Sequence, residues 1–505
     1  MRARAGADAV PEAVVARRWR ALAVCLVAAF MTLLDVSIVN VALPSIHQGL
    51  RATSDALQWI LSGYALTFGL VLVAAGRLGD ARSRRAVFTT GLGLFTVASA
   101  VAGAAPSIGW LVAARLVQGL AGGLITPQTA GLIQTLFRGE ERGRAFGALG
   151  AVIGLATAAG PLIGGVLIAV AGNQDGWRWV FYVNLPVGLV ALPLAWRLLP
   201  SPRDLRAGGS GAGGSGAGGS GAGGRRHSLD PVGVALLGLG VLLLLLPFVQ
   251  EQQWRGAGKW LLLPAAALVL ACFAAWERRH PEPMVNLELF RLRSYRLGAA
   301  ISLLYFAGFT GIFFAFTLYL QNGLRYSALL AGLAITPFAL GSAAAAMVGG
   351  RIVARYGRQV VAAGLVAVVA GLTVTMLAVH LVPGDHAGLV TAAPLLAAGV
   401  GSGLVISPNQ TITLSEVPPA GGGSAAGVLQ TGQRIGTAVG IAAAGAVYFA
   451  TLSASGGDWA LAFQRALAVV IGFVLIALCA ALADLAADRR AVREQDRGHA
   501  PEQEG

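Results

Sequence analysis

Charge is what this 505-residue chain has least of: Asp, Glu, Lys and Arg make up 12% of it, against about 25% in a soluble domain. A surface so poor in charge cannot face water all round, and lipid has to cover much of it. Lysine is nearly missing, with Lys259 alone among 37 basic residues. Cysteine is scarce as well: Cys25, Cys272 and Cys479 stand singly in apolar stretches, which excludes a disulfide framework or a thiolate metal site. The six histidines are equally dispersed, so no metal is expected. No phosphate loop of the G-x-x-x-x-G-K type occurs, and the apolar runs lack the alternation of a membrane β-barrel. No catalytic residues and no cofactor are expected, and the chain reads as a non-enzyme.

What is abundant is apolar and small. Hydrophobic residues reach 56%, and 70 glycines let membrane helices approach closely. Fourteen apolar runs have spanning length, beginning with residues 21–44, 57–78 and 86–105. Backbone groups in lipid must be satisfied within the segment, so each run is expected to be a helix. Arg17, Arg18 and Arg20 precede a first run too long for a signal peptide's core, so that run should stay as a helix.

The net charge of +14 looks at first like a nucleic-acid signal, but its distribution says otherwise. With the N-terminus inside, Arg51, Arg178, Arg255, Lys259, Arg325 and Arg465 fall outside, Arg115 and Arg434 lie within segments, and all the rest lie on the cytoplasmic side. That asymmetry orients the chain in a plasma membrane with both termini cytoplasmic, and no nucleic-acid partner is expected.

A Gly/Ser repeat at 207–224 behaves as flexible coil, whether native low complexity or an engineered tether. It divides the chain into a cytoplasmic tail (1–20), a six-helix bundle (21–200), a linker (201–229), two inserted helices with their loop (230–296), a second six-helix bundle (297–485) and a C-terminal tail (486–505). An internal repeat supports the division: the stretch from Gly76 to Arg85 returns 274 residues later as Gly350 to Gln359, each expected as a cytoplasmic loop. The second copy has Ala354 where the first has Asp80, so whatever Asp80 does is done once.

Asp35 lies about fourteen residues into the first segment, where a charge costs roughly 2.5–3.5 kcal/mol. No other Asp or Glu lies as deep. Counted at 1.5 Å per residue, Asp35 and Arg115 both sit roughly 12–14 Å below the outer surface, at a depth where they face one another or a shared cavity. Two readings stand: a fixed ion pair that orders the bundle, or a titrating carboxylate that carries protons. A sodium site would need further acids that the segments do not supply.

The chain resembles the major facilitator superfamily, and within it the fourteen-helix drug:proton antiporters. The resemblance rests on Leu34 to Pro44, on Gly76 to Arg85 (Ser83 replacing a usual glycine), and on Leu111 to Gly123 with Arg115, Gln118 and Gly119. It rests also on Gly147 through Gly160-Pro161-Leu162-Ile163-Gly164-Gly165, with Ala156 at a usual glycine, and on Trp177 to Gly188. It implies an all-α membrane fold of two six-helix bundles plus two inserted helices, fourteen in total. It implies that Gly160, Pro161, Gly164 and Gly165 form an exporter's helix contact, either as plain packing or as control of leak. It also implies that Asp80, with Arg77 and Arg84, latches the halves through the arginines or a helix N-terminus near Ser424. Arg434 resembles a family position, with a structural hydrogen bond and substrate contact both open; Gln430 shares its face. Tyr305 and Phe309, in an aromatic-rich segment, and Gln118 are further candidates for a substrate cavity.

The expected activity is proton-coupled efflux of small, largely apolar drugs or antibiotics by a monomer, driven by the proton gradient. The alternatives are a dedicated exporter of one metabolite or self-made antibiotic, and a non-transporting membrane sensor or scaffold.

Overall fold

The computed structural model describes residues 12–172, 175–201, 230–249, 254, 256–280, 283–382, 384 and 386–498. The expected linker therefore lies outside the described residues except for Ser201, and so does much of both tails.

All the regular structure among these residues is helical, and it divides into two halves and an insert. The first half comprises α1 (Glu12–Leu50), α2 (Ser54–Leu78), α3 (Arg84–Gly103), α4 (Ile108–Leu136), α5 (Gly139–Ala171), the short α6 (Gly176–Tyr182) and α7 (Asn184–Leu198). The insert is α8 (Pro231–Val249) and α9 (Leu262–Glu277). The second half comprises α10 (Arg293–Leu318), α11 (Ala328–Tyr356), α12 (Arg358–Leu381), α13 (Ala392–Thr413), α14 (Gly422–Ala454) and α15 (Trp459–Gly498).

Thirteen stretches among the described residues are long and apolar enough to cross a membrane, and one of them, Ala56–Gly103, is 48 residues long. A straight helix of that length would measure about 72 Å, more than twice the hydrocarbon core. It is in fact two helices. Ser83 adopts an extended φ of −162° and caps α3 through its hydroxyl, which accepts the Ala86 N–H at 3.2 Å. The crossings therefore number fourteen among the described residues.

Two details differ from expectation. α1 does not stop at Pro44 but carries the proline inside it and runs to Leu50, ending at Arg51 with φ +49°. The repeated stretches are not loops either. Gly79–Ser83 forms a π-helical turn, and in the second copy α11 continues helically through Tyr356. The break there falls on Gly357, the repeat equivalent of Ser83, whose φ of +50° favours glycine.

Each half has its own apolar core. In the second half it gathers around Tyr305, Phe316, Phe338 and Leu372; in the first, around Phe88, Phe95 and Tyr64. A further cluster joins the halves, with Phe137, Phe146 and Leu149 of the first packing on Tyr295, Leu414 and Leu429 of the second. Close approach across the seam is made by paired glycines. A Cβ on Gly76 would lie 2.2 Å from the Gly423 carbonyl oxygen, and one on Gly143 would lie 2.2 Å from that of Gly350. Gly76 and Gly350 are equivalent positions in the two copies of the repeat. The seam is thus shut symmetrically at the end that carries Asp80. At the opposite end α1 turns Asn40, Pro44 and His47 to an exposed face.

The insert borders the same seam. Val241 and Leu245 of α8 pack between Leu66 of α2 and Ile435 of α14, while Phe273 of α9 joins Val285 against Val73.

Candidate functional site

Five helices of the first half converge on Asp35, which is fully buried. Its Oδ2 accepts Arg115 Nη1 at 2.5 Å, and its Oδ1 accepts Asn184 Nδ2 at 3.0 Å and Gln118 Nε2 at 3.3 Å. Arg115 is held in turn. Its Nε donates to the Ile60 carbonyl at 3.1 Å, Nη1 donates to Gln118 Oε1 at 3.0 Å, and the guanidinium lies 4.2 Å over the Tyr64 ring. Ser99 Oγ ties the amides together, accepting Gln118 Nε2 at 2.7 Å and Asn184 Nδ2 at 3.4 Å.

A buried ion pair repays its desolvation only where the remaining lone pairs and protons are also satisfied, and nearly all of them are here. The exceptions are Asn184 Oδ1 and the Tyr64 hydroxyl, neither of which has a partner among the described residues although both residues are buried.

The exporter-like motif of α5 lies directly against this site. Gly160 faces Ser37, two residues beyond Asp35, so closely that a Cβ would meet Ser37 Oγ at 2.0 Å. Ser37 Oγ donates to the Ala156 carbonyl at 3.0 Å, and Gly164 packs on Ile38. The other face of α5 meets the second half: a Cβ on Gly332 would lie 2.7 Å from Pro161, and Gly165 faces Leu329. One helix therefore touches α1 beside the carboxylate and α11 across the seam.

At the shut end, Asp80 sits on the N-terminus of α14. Oδ1 accepts the Gly423 N–H at 3.1 Å, and Oδ2 accepts the Ser424 N–H at 2.8 Å and its hydroxyl at 2.9 Å. A carboxylate suits free N–H groups at the positive end of a helix dipole. Arg84 completes the cluster, donating to Asp80 Oδ1 through Nη2 at 2.7 Å, to the Gly131 carbonyl at 2.7 Å, to Thr135, and across the seam to the Pro419 carbonyl at 2.5 Å. Both suggested partners of Asp80, arginine and helix end, are engaged together. Arg77 makes no hydrogen bond or ion pair with this cluster among the described residues.

The equivalent corner of the second half is built differently. Arg358, the repeat partner of Arg84, donates to Asn409 Oδ1 at 2.8 Å and to Asp484 Oδ2 at 2.9 Å. That acid comes from α15 of its own half.

The candidate cavity residues are spread widely. Gln118 belongs to the Asp35 cluster, because it lies three residues after Arg115 on the same helix face. Tyr305 and Phe309 lie in the core of the second half: they are 1% and 6% exposed, with ring centroids 5.8 Å apart. An aromatic-rich membrane helix packs its largest rings where other helices fill the space around them. Gln430 is likewise buried, whereas Arg434 is partly exposed and lies 4.3 Å over the Phe68 ring.

Sequence reasoning passed over Ser99, Tyr64 and the role of Asn184. Asn184 had a signal: it is the lone amide in its apolar run, where an uncharged polar side chain wants a partner. Ser99 and Tyr64 offered none.

A Major Facilitator Superfamily model matches residues 25–441. The chain is 36% identical over 448 residues to a probable actinorhodin transporter of Streptomyces coelicolor, spanning 86% of this chain and 73% of that protein. It is 35% identical over 430 residues to the puromycin resistance protein pur8 of Streptomyces alboniger, spanning 84% and 81%. Its fold is similar to that of the proton:xylose symporter XylE, with a TM-score of 0.62 over 93% of this chain and 95% of that one, at 16% identity.

Proposed function

The chain belongs to the Major Facilitator Superfamily, and on that premise we propose that it exports small, largely apolar drugs or antibiotics in exchange for protons. The observation that carries this reading is Asp35: a carboxylate sealed among five helices, paired with Arg115, and two residues from the contact of α1 with α5.

Ionised Asp35 satisfies the Arg115 guanidinium and two amides. A proton on the carboxylate removes the counter-charge, weakens all three contacts, and frees α1 to shift against α5. Because α5 also packs on α11, that shift reaches the second half. Proton and substrate then compete through the conformational equilibrium without touching, each shifting it by its differential affinity. An inward proton contributes roughly 2.3 kcal/mol per 100 mV, plus the pH term. No cofactor enters this scheme, and a monomer suffices for it.

In the proposed orientation the Asp80 end and both termini face the cytoplasm of a plasma-membrane protein. The latched conformation is then outward-facing, with the Asn40 face of α1 toward the exit path.

The test is efflux from vesicles under an imposed pH gradient, comparing wild type, Asp35→Asn and Asp35→Glu. We expect Asp35→Asn to lose gradient-driven export while reaching the membrane, and Asp35→Glu to retain part of it. Gradient-driven export at the wild-type rate in Asp35→Asn would remove the carboxylate from the mechanism. A second reading, a dedicated exporter of one compound, is favoured by relatives named for single antibiotics. It predicts transport of one molecule in a chemically varied panel. A membrane sensor would instead leave Asp35 and Arg115 dispensable.

A further inference from the structure

Arg434 is a membrane-depth cation that the proton scheme leaves unused. It lies within the spanning stretch Pro419–Ala454, ten residues beyond Ser424, hence about 15 Å along α14 from the latch. Its guanidinium faces the first half, 4.3 Å over the Phe68 ring. Phe68 stacks on Tyr64 with ring centroids 5.9 Å apart, and Tyr64 carries Arg115 on its ring at 4.2 Å. Two guanidiniums thus sit on one aromatic pair of α2. Arg115 has the Asp35 carboxylate; Arg434 has no carboxylate and makes no hydrogen bond among the described residues.

A guanidinium presents five N–H donors in a planar fork that matches a carboxylate. At membrane depth such a group needs a counter-charge, and the aromatic face meets only part of that need. Arg434 is also partly exposed, so its donors are within reach of a ligand. One turn earlier on α14, Gln430 Oε1 is buried without a partner among the described residues and adds an acceptor for a ligand's hydroxyl. Phe68 supplies an apolar wall.

We propose that Arg434 binds the negative group of the transported molecule, so that the substrate class is small organic anions: an ionised carboxylate, phenol or enol on an apolar body. The proposal rests on the export reading for its physiological meaning, but binding can be measured with no gradient and with Asp35 untouched. Failure of one is therefore distinguishable from failure of the other.

The experiment uses the full chain in nanodiscs and reads fluorescein, an anion, by anisotropy. Arg434→Gln is expected to weaken fluorescein binding about tenfold, and Arg434→Lys to recover most of it by keeping the charge. In wild type, benzoate is expected to displace the dye while its neutral counterpart benzamide does not, which holds the test open should Arg434→Gln fail to fold. Absence of fluorescein binding to wild type overturns the proposal, as does equal binding by Arg434→Gln or equal displacement by benzamide. Chloride displacing the dye as effectively as benzoate also overturns it, since Arg434 would then hold an inorganic counter-ion.

Discussion

Asp80 and Ser424 are 344 residues apart in sequence, yet the carboxylate of one accepts both the backbone N–H and the hydroxyl of the other. The contact joins the π-helical turn after α2 to the start of α14 and therefore one half to the other. Hydrogen bonds to a charged group contribute roughly 1.5–3 kcal/mol each. Asp80→Asn keeps the shape and removes the charge. We expect it to raise cysteine labelling of the seam at the Asp80 end and lower it at the opposite end, in a background lacking Cys25, Cys272 and Cys479. Labelling unchanged at both ends would show that Asp80 does not hold the seam.

The equivalent corner, where Arg358 pairs with an acid of its own half, supplies the contrast. Arg358→Gln breaks a buried pair inside the second half, but Arg293 still neutralises Asp484 at 2.6 Å. The expected cost is about 1–3 kcal/mol, seen as a lower Tm, with labelling of the seam unaltered. A labelling shift as large as that of Asp80→Asn would place a second latch at Arg358.

Asn184 donates to the Asp35 carboxylate and has a buried oxygen on the same amide with no partner among the described residues. Asn184→Leu removes that donor and is expected to slow gradient-driven efflux from vesicles severalfold while the protein still reaches the membrane. Efflux at the wild-type rate would assign Asn184 to packing alone.

Depth was readable in the sequence because charge in lipid is costly, and it put Asp35 and Arg115 at one level, where the structure pairs them. The rest of that site was not, since Ser99 and Tyr64 cost little to bury and only tertiary packing brings them to the carboxylate. Register within one helix identifies neighbours at three and four residues, which is why Gln118 belongs with Arg115 rather than in a cavity wall. The aromatic residues of α10 were less legible for the complementary reason. Rings distributed around a helix do not say which side meets other helices, and Tyr305 and Phe309 face the core. The repeated stretch identified a shared position but not a shared partner: Arg84 and Arg358 are equivalent, whereas Asp80 and Asp484 come from different helices.

The α5 motif makes the sharpest steric prediction. A Cβ on Gly160 would lie 2.0 Å from Ser37 Oγ, 2.6 Å from Ser37 Cβ and 2.9 Å from the Ile38 nitrogen, so even alanine forces α1 away from α5. If α5 merely packs, Gly160→Ala lowers stability and leaves coupling intact. If the α1–α5 contact transmits the state of Asp35, the same change uncouples, and the vesicle leaks protons without exporting substrate. Ser37→Gly clears two of the three short contacts and leaves the backbone one, so the double variant should recover part of the function. The coupling energy between the two sites is expected to be about 0.5–3 kcal/mol in a double-mutant cycle. The measurement is proton leak together with efflux in the same vesicles. Recovery of Tm without recovery of coupling would confine Gly160 to packing, and additive losses would show that the two residues do not act through their contact.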